Sequence, residues 1–541
     1  MMFLPHWTLL VVMSSVCCVE VLIDSNSQVF GREDNEVDIQ TKMIGERPNI
    51  VLIVADDMGW GDVGANWPKT VDTPNIDLLA RDGFRLTDFH SGASVCSPSR
   101  AALLTGRLGL RTGVVRNFGD SALGGIPENE TTLGEIMQEA GYRTAMLGKW
   151  HLGTRPRHHP LDKGFQSYLG IPYSVDMGCA DPAGSNLPQC PVCPEENSVY
   201  TGDTSRCFQD LALPLYRDRK IVHQPVLLSS VASAYADFAA NFIESSSSDD
   251  TPYFLYAAFS HIHVPLAHAQ HFDNITGRGV FADTLRELDW LVGQILSAVA
   301  KHGNNTLVWF LSDNGPWVVK CDLAGSGGPF TGDWQRDLRS GGGGSAAKQT
   351  VWEAGHRVPS VVYWPKYIQA GGVSSALISA LDVMPTLASL ANATLPPNRY
   401  FDGIDVLPVI MGFTHQGHRV LFHPNSGAAG PEGEIGAVRI GPYKVVYYSG
   451  GSPDCSGHAG PVQYHLTLPL VFHLDVDPAE RSPLEPSSWK YRNVVRKAQR
   501  ALSSLLDNIR ADNTSCVDYT VSKSARPCCD TQSLICRCPW D

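Results

Sequence analysis

The sequence predicts an α/β protein whose large domain has a central mixed, mostly parallel sheet flanked by helices. Strand-length apolar runs such as residues 48–55 and 252–259 contain no alternating polar residues, which is typical of strands buried on both faces. Segments with apolar residues at helical spacing separate these runs. Beyond residue 414 short strand patterns dominate, so we expect a smaller C-terminal domain with an antiparallel sheet and a closing helix.

The chain has 541 residues, which is long enough for more than one domain. Its 43% hydrophobic and 18% charged residues are typical of a soluble globular protein. The net charge of -13 argues against a broad basic surface for nucleic acid. We expect four segments: a signal peptide at 1–22, a poorly ordered segment at 23–46, a catalytic domain at 47–413, and the smaller domain with a Cys-rich tail at 414–541.

An apolar run at residues 7–13, followed by small residues, predicts a secretory signal peptide. A signal anchor is the alternative, but the run is short for a membrane span. No later stretch is apolar enough to cross a bilayer, so we expect a soluble, lumenal or extracellular mature protein. Five Asn-x-Ser/Thr sites are then candidates for N-glycosylation: Asn129, Asn274, Asn304, Asn392 and Asn513.

Most of the 14 cysteines lie between residues 179 and 207 or close to the C-terminus. Cys190 and Cys193 have the spacing of a zinc or redox motif. In an oxidising compartment disulfides are favoured over both of these alternatives. The pairing of the cysteines stays open, because spacing alone does not assign it.

Two apolar strand patterns end in oxygen-bearing side chains. Asp56 and Asp57 follow the first pattern, and Asp313 and Asn314 follow the pattern at 306–311. The carboxyl ends of neighbouring parallel strands meet at one edge of a sheet, where open α/β sheets bind ligands. Carboxylate and amide oxygens are ligands for a hard divalent cation, Ca²⁺ or Mg²⁺. The set lacks the His and Cys ligands of a structural zinc site.

Basic side chains follow two further strand patterns. Lys149 and His151 come after an apolar run, and they point the same way if the chain stays extended there. A solvated lysine and a hydrogen-bonded histidine at a strand end explain this pair equally well. His261 and His263 alternate in the same manner after residues 252–259.

The stretch around Cys96 combines a thiol with features that favour an anion. Ser97 is suited to cap a helix, Pro98 fits its first turn, and residues 101–104 propagate it. Cys96 is then expected just before the helix N-terminus, where free N–H groups and the dipole attract negative charge. Arg100 adds a cation one turn later. The alternative is a buried or disulfide-bonded cysteine at an ordinary capped helix.

This stretch resembles the signature of the sulfatase family: Cys96-Ser97-Pro98-Ser99-Arg100, followed by Leu103-Leu104-Thr105-Gly106-Arg107. The resemblance runs from about residue 47 to the C-terminus, and the chain looks like an arylsulfatase of the alkaline-phosphatase-like superfamily. In that family the formylglycine-generating enzyme of the secretory pathway oxidises the cysteine to formylglycine. The resemblance therefore implies this modification at Cys96 and one Ca²⁺ per chain.

The resemblance also implies a role for each matching residue. The metal ligands would be Asp56, Asp57, Asp313 and Asn314, together with the modified residue 96. Arg100 and Lys149 would hold the formylglycine, and His151 would contact its hydrate. The sulfate ester and its leaving group would be contacted by His263, by Lys348 and, as a further contact, by Ser174. Val175 stands where relatives often have His, which bears on substrate contacts.

By resemblance, the expected activity is hydrolysis of sulfate esters in the secretory pathway, in the lysosome or after secretion. Aryl sulfates are the implied assay substrates and glycosaminoglycan sulfates the implied natural ones. The nearest branch of the family implies the 3-O-sulfate of glucosamine in heparan sulfate. One rival is a phosphatase or phosphodiesterase on the same scaffold, which usually has a Ser or Thr nucleophile and two zinc ions. The other is a non-catalytic glycan-binding member, which would be expected to lack Cys96, Arg100 or a metal ligand.

Overall fold

The computed structural model describes residues 47–195, 207–249, 251–532 and 535–538. The predicted signal peptide and the segment up to residue 46 lie outside the described residues. Within the described part of the chain, none of the helices has the length and apolar character needed to cross a membrane.

The strands, in chain order, are β1 (Asn49–Ala55), β2 (Phe84–Leu86), β3 (Phe89–His90), β4 (Arg143–Gly148), β5 (Ser167–Gly170), β6 (Leu215–Arg217), β7 (Lys220–His223), β8 (Tyr253–Ala258), β9 (Thr306–Ser312), β10 (Ser360–Tyr363), β11 (Gly372–Ser374), β12 (Ile378–Ser379), β13 (Val420–Pro424), β14 (Ile435–Ile440), β15 (Tyr443–Val446), β16 (Tyr448–Ser449), β17 (Gln463–Tyr464) and β18 (Leu470–His473).

The α-helices are α1 (Pro74–Asp82), α2 (Cys96–Thr105), α3 (Gly109–Thr112), α4 (Leu133–Glu139), α5 (Val231–Ser246), α6 (Val280–Ala300), α7 (Asp333–Arg336), α8 (Glu353–His356), α9 (Val383–Leu390), α10 (Leu407–Ile410) and α11 (Trp489–Ala511). Short 3₁₀ helices occupy Trp60–Asp62, Pro160–Asp162, Leu228–Ser230, Gln270–Phe272, Val318–Leu323, Ala380–Asp382 and Lys523–Ala525.

A ten-stranded mixed sheet in the order β11-β2-β10-β9-β1-β8-β4-β5-β6-β7 forms the centre of the large domain. Its five middle strands, β9 to β5, run parallel, and β10, β6 and β7 run antiparallel to their neighbours. Ala55 at the end of β1 is in register with Ser312 at the end of β9. The predicted mixed, mostly parallel sheet is confirmed, and the two acidic strand ends are neighbours.

Helices cover the sheet as its sequence pattern predicts. Val51, Ile53 and Ala55 of β1 belong to a core that they share with α1, α5 and α6. The alternate residues Leu52 and Val54 are also fully buried, so the strand is covered on both faces. The helices α2, α4 and α9 pack against one another, and α4 packs on β4. Burial on both faces explains why these strands read as continuous apolar runs.

The C-terminal region contains the predicted antiparallel sheet and helix. Its sheet has the order β13-β14-β15-β18, and β14 and β15 form a hairpin in which Ile440 pairs with Tyr443. The helix α11 buries one stripe against this sheet, formed by Tyr491, Val494, Ala498 and Leu505. The predicted antiparallel sheet and closing helix of this region are therefore confirmed.

Two sequence-based expectations differ from the structure in detail. Residues 84–90 form two short strands in different sheets, β2 and β3, rather than one strand. The segment 156–225, expected to be an insertion held by disulfides, also supplies β5, β6 and β7 to one edge of the central sheet.

The expected disulfides are present, and neither Cys190 nor Cys193 pairs with the other. The pairs are Cys179–Cys193, Cys190–Cys207, Cys321–Cys455, Cys528–Cys536 and Cys529–Cys538. Among the described cysteines, the buried Cys96 and the exposed Cys516 form no disulfide. Cys96 is thus available for chemistry in a chain whose other described buried cysteines are paired.

Candidate active site

The predicted site residues lie at one edge of the central sheet. Some of them follow the carboxyl ends of β1, β4, β8 and β9, and the others come from α2 and from loops after β5 and before α8. All of them are buried, with relative exposure of 4% or less: Asp56, Asp57, Cys96, Arg100, Lys149, His151, Ser174, His263, Asp313, Asn314 and Lys348. The backbone of Asp57 has a φ of 60° and that of His151 a φ of 58°. Such left-handed conformations are uncommon outside glycine, although Asp and His adopt them more readily than most residues, and they cluster at functional sites.

Cys96 is the first residue of α2 rather than the residue before it. The N-cap is Val95, and no side chain caps the helix. The prediction that Ser97 caps this helix is wrong, because Ser97 lies in the first turn and its hydroxyl donates to the carbonyl of His151 at 2.7 Å. Cys96 Sγ is 3.4 Å from Lys149 Nζ and 3.8 Å from Asp56 Oδ1. Burial raises the pKa of the Cys96 thiol to about 12, although Lys149 and Lys348 oppose the shift.

Three cationic side chains pair with the three aspartates. Arg100 Nη2 lies 2.8 Å from Asp313 Oδ2, and Lys149 Nζ lies 2.7 Å from Asp56 Oδ2. The third pair joins Lys348 Nζ to Asp57 Oδ1 at 2.5 Å. The six charges balance, so an added divalent cation would make the site attractive to an anion.

Burial and neighbouring charges shift the pKa values of the site residues, and the direction differs from one residue to the next. Burial alone would raise the pKa of Asp56, but the charges of Lys149, His263 and Arg100 outweigh it and lower that pKa. At Asp313, burial and the charge of Asp56 together raise the pKa. Burial alone would lower the pKa of Lys149, but Asp56 keeps it above its ordinary value. Lys149 is therefore a firmly protonated cation beside Cys96.

The donor set fits a hard divalent cation. Asn314 Nδ2 donates to Asp57 Oδ1 at 2.7 Å, whereas its buried Oδ1 has no hydrogen-bond partner among the described residues. An unpartnered amide oxygen beside three carboxylates matches the ligand preference of Ca²⁺ and Mg²⁺. The structure also places Cys96 and His263 in this group, since one atom from each lies within 4.8 Å of carboxylate oxygens of Asp56 and Asp57.

The two histidines after β8 have different surroundings. His261 Nε2 lies 3.1 Å from the carboxylate of Glu287 on α6, so this ring helps to hold the loop after β8 against α6. His263 Nδ1 contacts the carbonyl of Val264 at 2.6 Å, so its Nε2 faces the site, 3.6 Å from Asp57 Oδ2. Only His263 reaches the acidic cluster with a ring nitrogen.

His151 is held as a neutral imidazole. Its Nε2 lies 2.9 Å from the carbonyl of Phe118, and its Nδ1 has no hydrogen-bond partner among the described residues. Burial, followed by the charges of Lys149 and Arg100, keeps the pKa of His151 well below its usual range. The backbone turns at His151 rather than staying extended, so the simple alternation expected for Lys149 and His151 does not hold at that residue.

Ser174 joins the site through Lys149, whose Nζ lies 3.2 Å from the Ser174 hydroxyl. The sequence reasoning did not identify Trp317 and Lys320, which surround the outer part of the site. The Trp317 ring lies 5.4 Å from the ring of His263, and both Lys348 Nζ and Lys320 Nζ lie over it. Trp317 follows Asn314 by three residues, and this proximity to a predicted ligand is the signal that could have found it.

A cavity of about 790 Å³ lies elsewhere, and Trp60, Phe330, Arg357, Arg419 and Arg439 are among its lining residues. No predicted site residue lines it. The predicted site residues therefore lie outside this cavity, in a narrower part of the molecule.

The comparison with known proteins agrees with this geometry. The family model described as Sulfatase matches residues 48–393, and the model described as the C-terminal region of aryl-sulfatase matches residues 416–538. The crystal structure of the PsFucS1 sulfatase from Pseudoalteromonas sp. superposes with a TM-score of 0.76 at 26% identity, over 90% of this chain and 96% of that one.

Two arylsulfatases are similar over nearly the whole chain. Arylsulfatase G of Rattus norvegicus is 52% identical over 91% of this chain and 93% of its own length. Arylsulfatase A of Homo sapiens is 36% identical over 92% of this chain and 96% of its own length. By these identities the chain is more similar to arylsulfatase G than to arylsulfatase A. These matches show that the chain belongs to the sulfatase family and is a sulfuric ester hydrolase.

Proposed function

We propose that this hydrolase acts through a formylglycine made from Cys96, with one Ca²⁺ held by Asp56, Asp57, Asp313 and Asn314. The observation that carries the proposal is the position of Cys96. Its sulfur lies at the start of a buried helix, in contact with Lys149 and close to Asp56, within the balanced cluster of three carboxylates and three cations. No residue that this chemistry requires is missing from the sequence.

The modified residue and the ion would together supply an oxygen nucleophile with a lowered pKa. The chain's own residues then bind and orient the ester. Arg100, Lys149 and Lys348 neutralise the sulfate oxygens while negative charge moves toward the leaving oxygen. His263, with Nε2 facing the cluster, donates a proton to that oxygen. His151 is neutral and its Nδ1 has no hydrogen-bond partner among the described residues, so this nitrogen would accept a hydrogen bond from the hydrate of the modified residue.

We propose sulfated carbohydrates as natural substrates and aryl sulfates as assay substrates. The identity to arylsulfatase G supports aryl sulfates, and the specific substrate that we propose is the 3-O-sulfate of glucosamine in heparan sulfate. We place the protein in the secretory pathway and the lysosome, or outside the cell, with the formylglycine-generating enzyme as its partner during maturation. The disulfides support an oxidising compartment. All five asparagines of the candidate glycosylation sites are exposed and therefore accessible to modification.

The test is peptide mass spectrometry of the segment that contains Cys96, on protein made in a secretory host and assayed in parallel with 4-nitrophenyl sulfate. We expect the mass of the aldehyde at position 96 and a fraction of modified chain that rises with specific activity. The peptide that contains Cys516 is the internal control and should keep its thiol. An intact thiol at position 96 in fully active protein would refute the proposal.

A further inference from the structure

We propose that Trp317 and Lys320 form a leaving-group subsite that selects sulfated sugars with a second anionic group, a sulfate or a carboxylate. This inference rests on the proposed function. It adds a binding site for a part of the substrate that does not react. The half-buried Trp317 and Lys320 lie at its outer side, whereas Lys348 and His263 are buried at its inner end.

The indole of Trp317 connects the two ends of this subsite. Lys348 Nζ lies 4.8 Å and Lys320 Nζ 4.5 Å from the ring centroid, and the ring of His263 lies 5.4 Å away. A leaving oxygen that receives a proton from His263 therefore lies close to the indole. Because both ammonium groups lie against the same ring, they can contact two anionic groups on one sugar or on adjacent sugars.

Lys320 lacks the partner that a half-buried cation usually has. Its Nζ donates to Asn186 Oδ1 at 3.0 Å and to the carbonyl of Leu187 at 2.6 Å, which are both neutral. It forms no ion pair with any described residue, whereas Lys348 and Lys149 each contact an aspartate. Two of its three N–H donors are used, so one donor and the full charge are available to a ligand.

The charge of Lys320 is best satisfied by an anion that arrives with the substrate. Burial lowers the pKa of Lys320, and the more distant carboxylate of Asp176 only partly offsets this effect. A sulfate or carboxylate on the sugar would form a charge-assisted hydrogen bond in a partly dehydrated position. Substrates with a single sulfate and an uncharged leaving group would not use this contact.

The experiment compares Lys320→Met with the wild-type holoenzyme on a matched substrate pair. The pair is 3-O-sulfated glucosamine with either an N-sulfate or an N-acetyl group, and 4-nitrophenyl sulfate serves as the singly charged reference. We expect Lys320→Met to lower kcat/KM about tenfold or more for the N-sulfated sugar, mainly through KM. For the N-acetylated sugar and for 4-nitrophenyl sulfate we expect a change of less than about threefold.

The control variants separate the effect of the Lys320 charge from the support that Lys320 gives to the 186–187 loop. Lys320→Arg should keep the preference for the N-sulfated sugar. Asn186→Ala removes a neutral contact of Lys320 together with the side-chain contacts to Leu187 and Cys190, and it should not abolish the preference. If Asn186→Ala reproduces the selective loss, Lys320 acts by holding the 186–187 loop and the inference is wrong. An equal loss on all substrates, or no loss on any, also overturns it. A wild-type enzyme that hydrolyses neither sugar nor 4-nitrophenyl sulfate would instead contradict the proposed function.

Discussion

The backbone N–H of Ser94 donates a hydrogen bond to the hydroxyl of Ser426 at 3.2 Å. Ser94 lies two residues before Cys96, and Ser426 lies two residues after the end of β13. The carbonyl of Ser94 accepts from the backbone N–H of Gln349, the residue after Lys348, at 2.7 Å. The loop that leads into α2 is therefore held on one side by the C-terminal region and on the other by the segment that carries a cationic site residue.

Removing the Ser426 hydroxyl tests whether the C-terminal region positions the nucleophile that we propose at residue 96. We expect Ser426→Ala to lower the free energy of unfolding by about 1 kcal/mol, the net value of one hydrogen bond. We expect kcat/KM on 4-nitrophenyl sulfate to fall about three- to tenfold, because position 96 loses part of its support. Denaturant unfolding and steady-state kinetics measure the two effects. Ser456→Ala, in an exposed turn, is the control, and unchanged kinetics in Ser426→Ala would contradict the positioning role.

Replacement of Cys96 should remove activity without unfolding the protein. The side chain is small and buried, and Ala fills most of its volume, so we expect Cys96→Ala to stay within about 1 kcal/mol of the wild type. Turnover of 4-nitrophenyl sulfate should fall by about a thousandfold or more, because no other group at this position can supply the nucleophile. Cys516→Ala removes the exposed unpaired cysteine and should keep full activity. Substantial turnover by Cys96→Ala would exclude residue 96 as the nucleophile.

The strand ends could be predicted because they depend on few physical rules. Buried parallel strands read as apolar runs, and the polar residue that follows each run must lie at the carboxyl edge of the sheet. This is how Asp57 and Asn314, which are 257 residues apart in the chain, could be expected together before their 2.7 Å contact was seen. Their contact also requires β1 and β9 to be neighbours in the sheet, and the apolar runs alone do not determine that order.

Other features depend on partners that the sequence does not identify. Spacing cannot separate His261 from His263, because the choice depends on Glu287 of α6, which binds His261. The helix at Cys96 begins two residues earlier than a cap at Ser97 would place it, since the Ser97 hydroxyl bonds to the carbonyl of His151 instead of capping. Trp317 looks like an ordinary core residue until the lysines on its ring are seen.

Loss of one metal-cluster carboxylate should release the cation. Asp313 Oδ2 contacts Arg100, and its Oδ1 accepts from the backbone N–H of Asp57 at 3.2 Å, so Asn at this position keeps the shape but loses the charge. We expect Asp313→Asn to reduce bound calcium, measured by elemental analysis after gel filtration, and to lower kcat/KM about a hundredfold or more. Asp337→Asn, at an exposed loop, should retain both. Full metal content in Asp313→Asn would remove Asp313 from the proposed ligand set.

A buried stack of three imidazoles should make the fold sensitive to acid. His423 lies between His90 and His356, with ring centroids 5.0 and 4.2 Å away, and neither of its ring nitrogens has a hydrogen-bond partner among the described residues. Burial, followed by the charges of His356 and Lys444, keeps the pKa of His423 well below its ordinary value. The folded state then binds fewer protons than the unfolded state below about pH 6.5, so stability falls as the pH falls.

The variant His423→Phe removes this titration and leaves no hydrogen bond unmade. Between pH 7 and pH 5 we expect its free energy of unfolding to fall less than that of the wild type, by roughly 2 kcal/mol. Denaturant unfolding at several pH values measures the difference between the two slopes. His302→Gln changes an exposed histidine and should follow the wild type. Parallel slopes for His423→Phe and the wild type would show that His423 is not kept neutral by the fold.

The role of His263 can be separated from general support of the site by the choice of leaving group. Its Nε2 faces the cluster because its Nδ1 is bound to the carbonyl of Val264. A proton donor matters most when the departing oxygen is strongly basic, as in a sugar, and least for 4-nitrophenolate. We expect His263→Asn to lower kcat/KM by about a hundredfold or more on a sugar sulfate, and by less than about tenfold on 4-nitrophenyl sulfate.

The neighbouring His261 provides the matched control for this prediction. His261→Gln keeps a donor toward Glu287, so any loss that it causes comes from movement of the loop and should be similar for both substrates. If His263→Asn also lowers kcat/KM equally for the sugar sulfate and the aryl sulfate, the ring acts by binding or support rather than by protonating the leaving oxygen. A loss that grows with the basicity of the leaving group, found for position 263 and absent for position 261, identifies His263 as the acid.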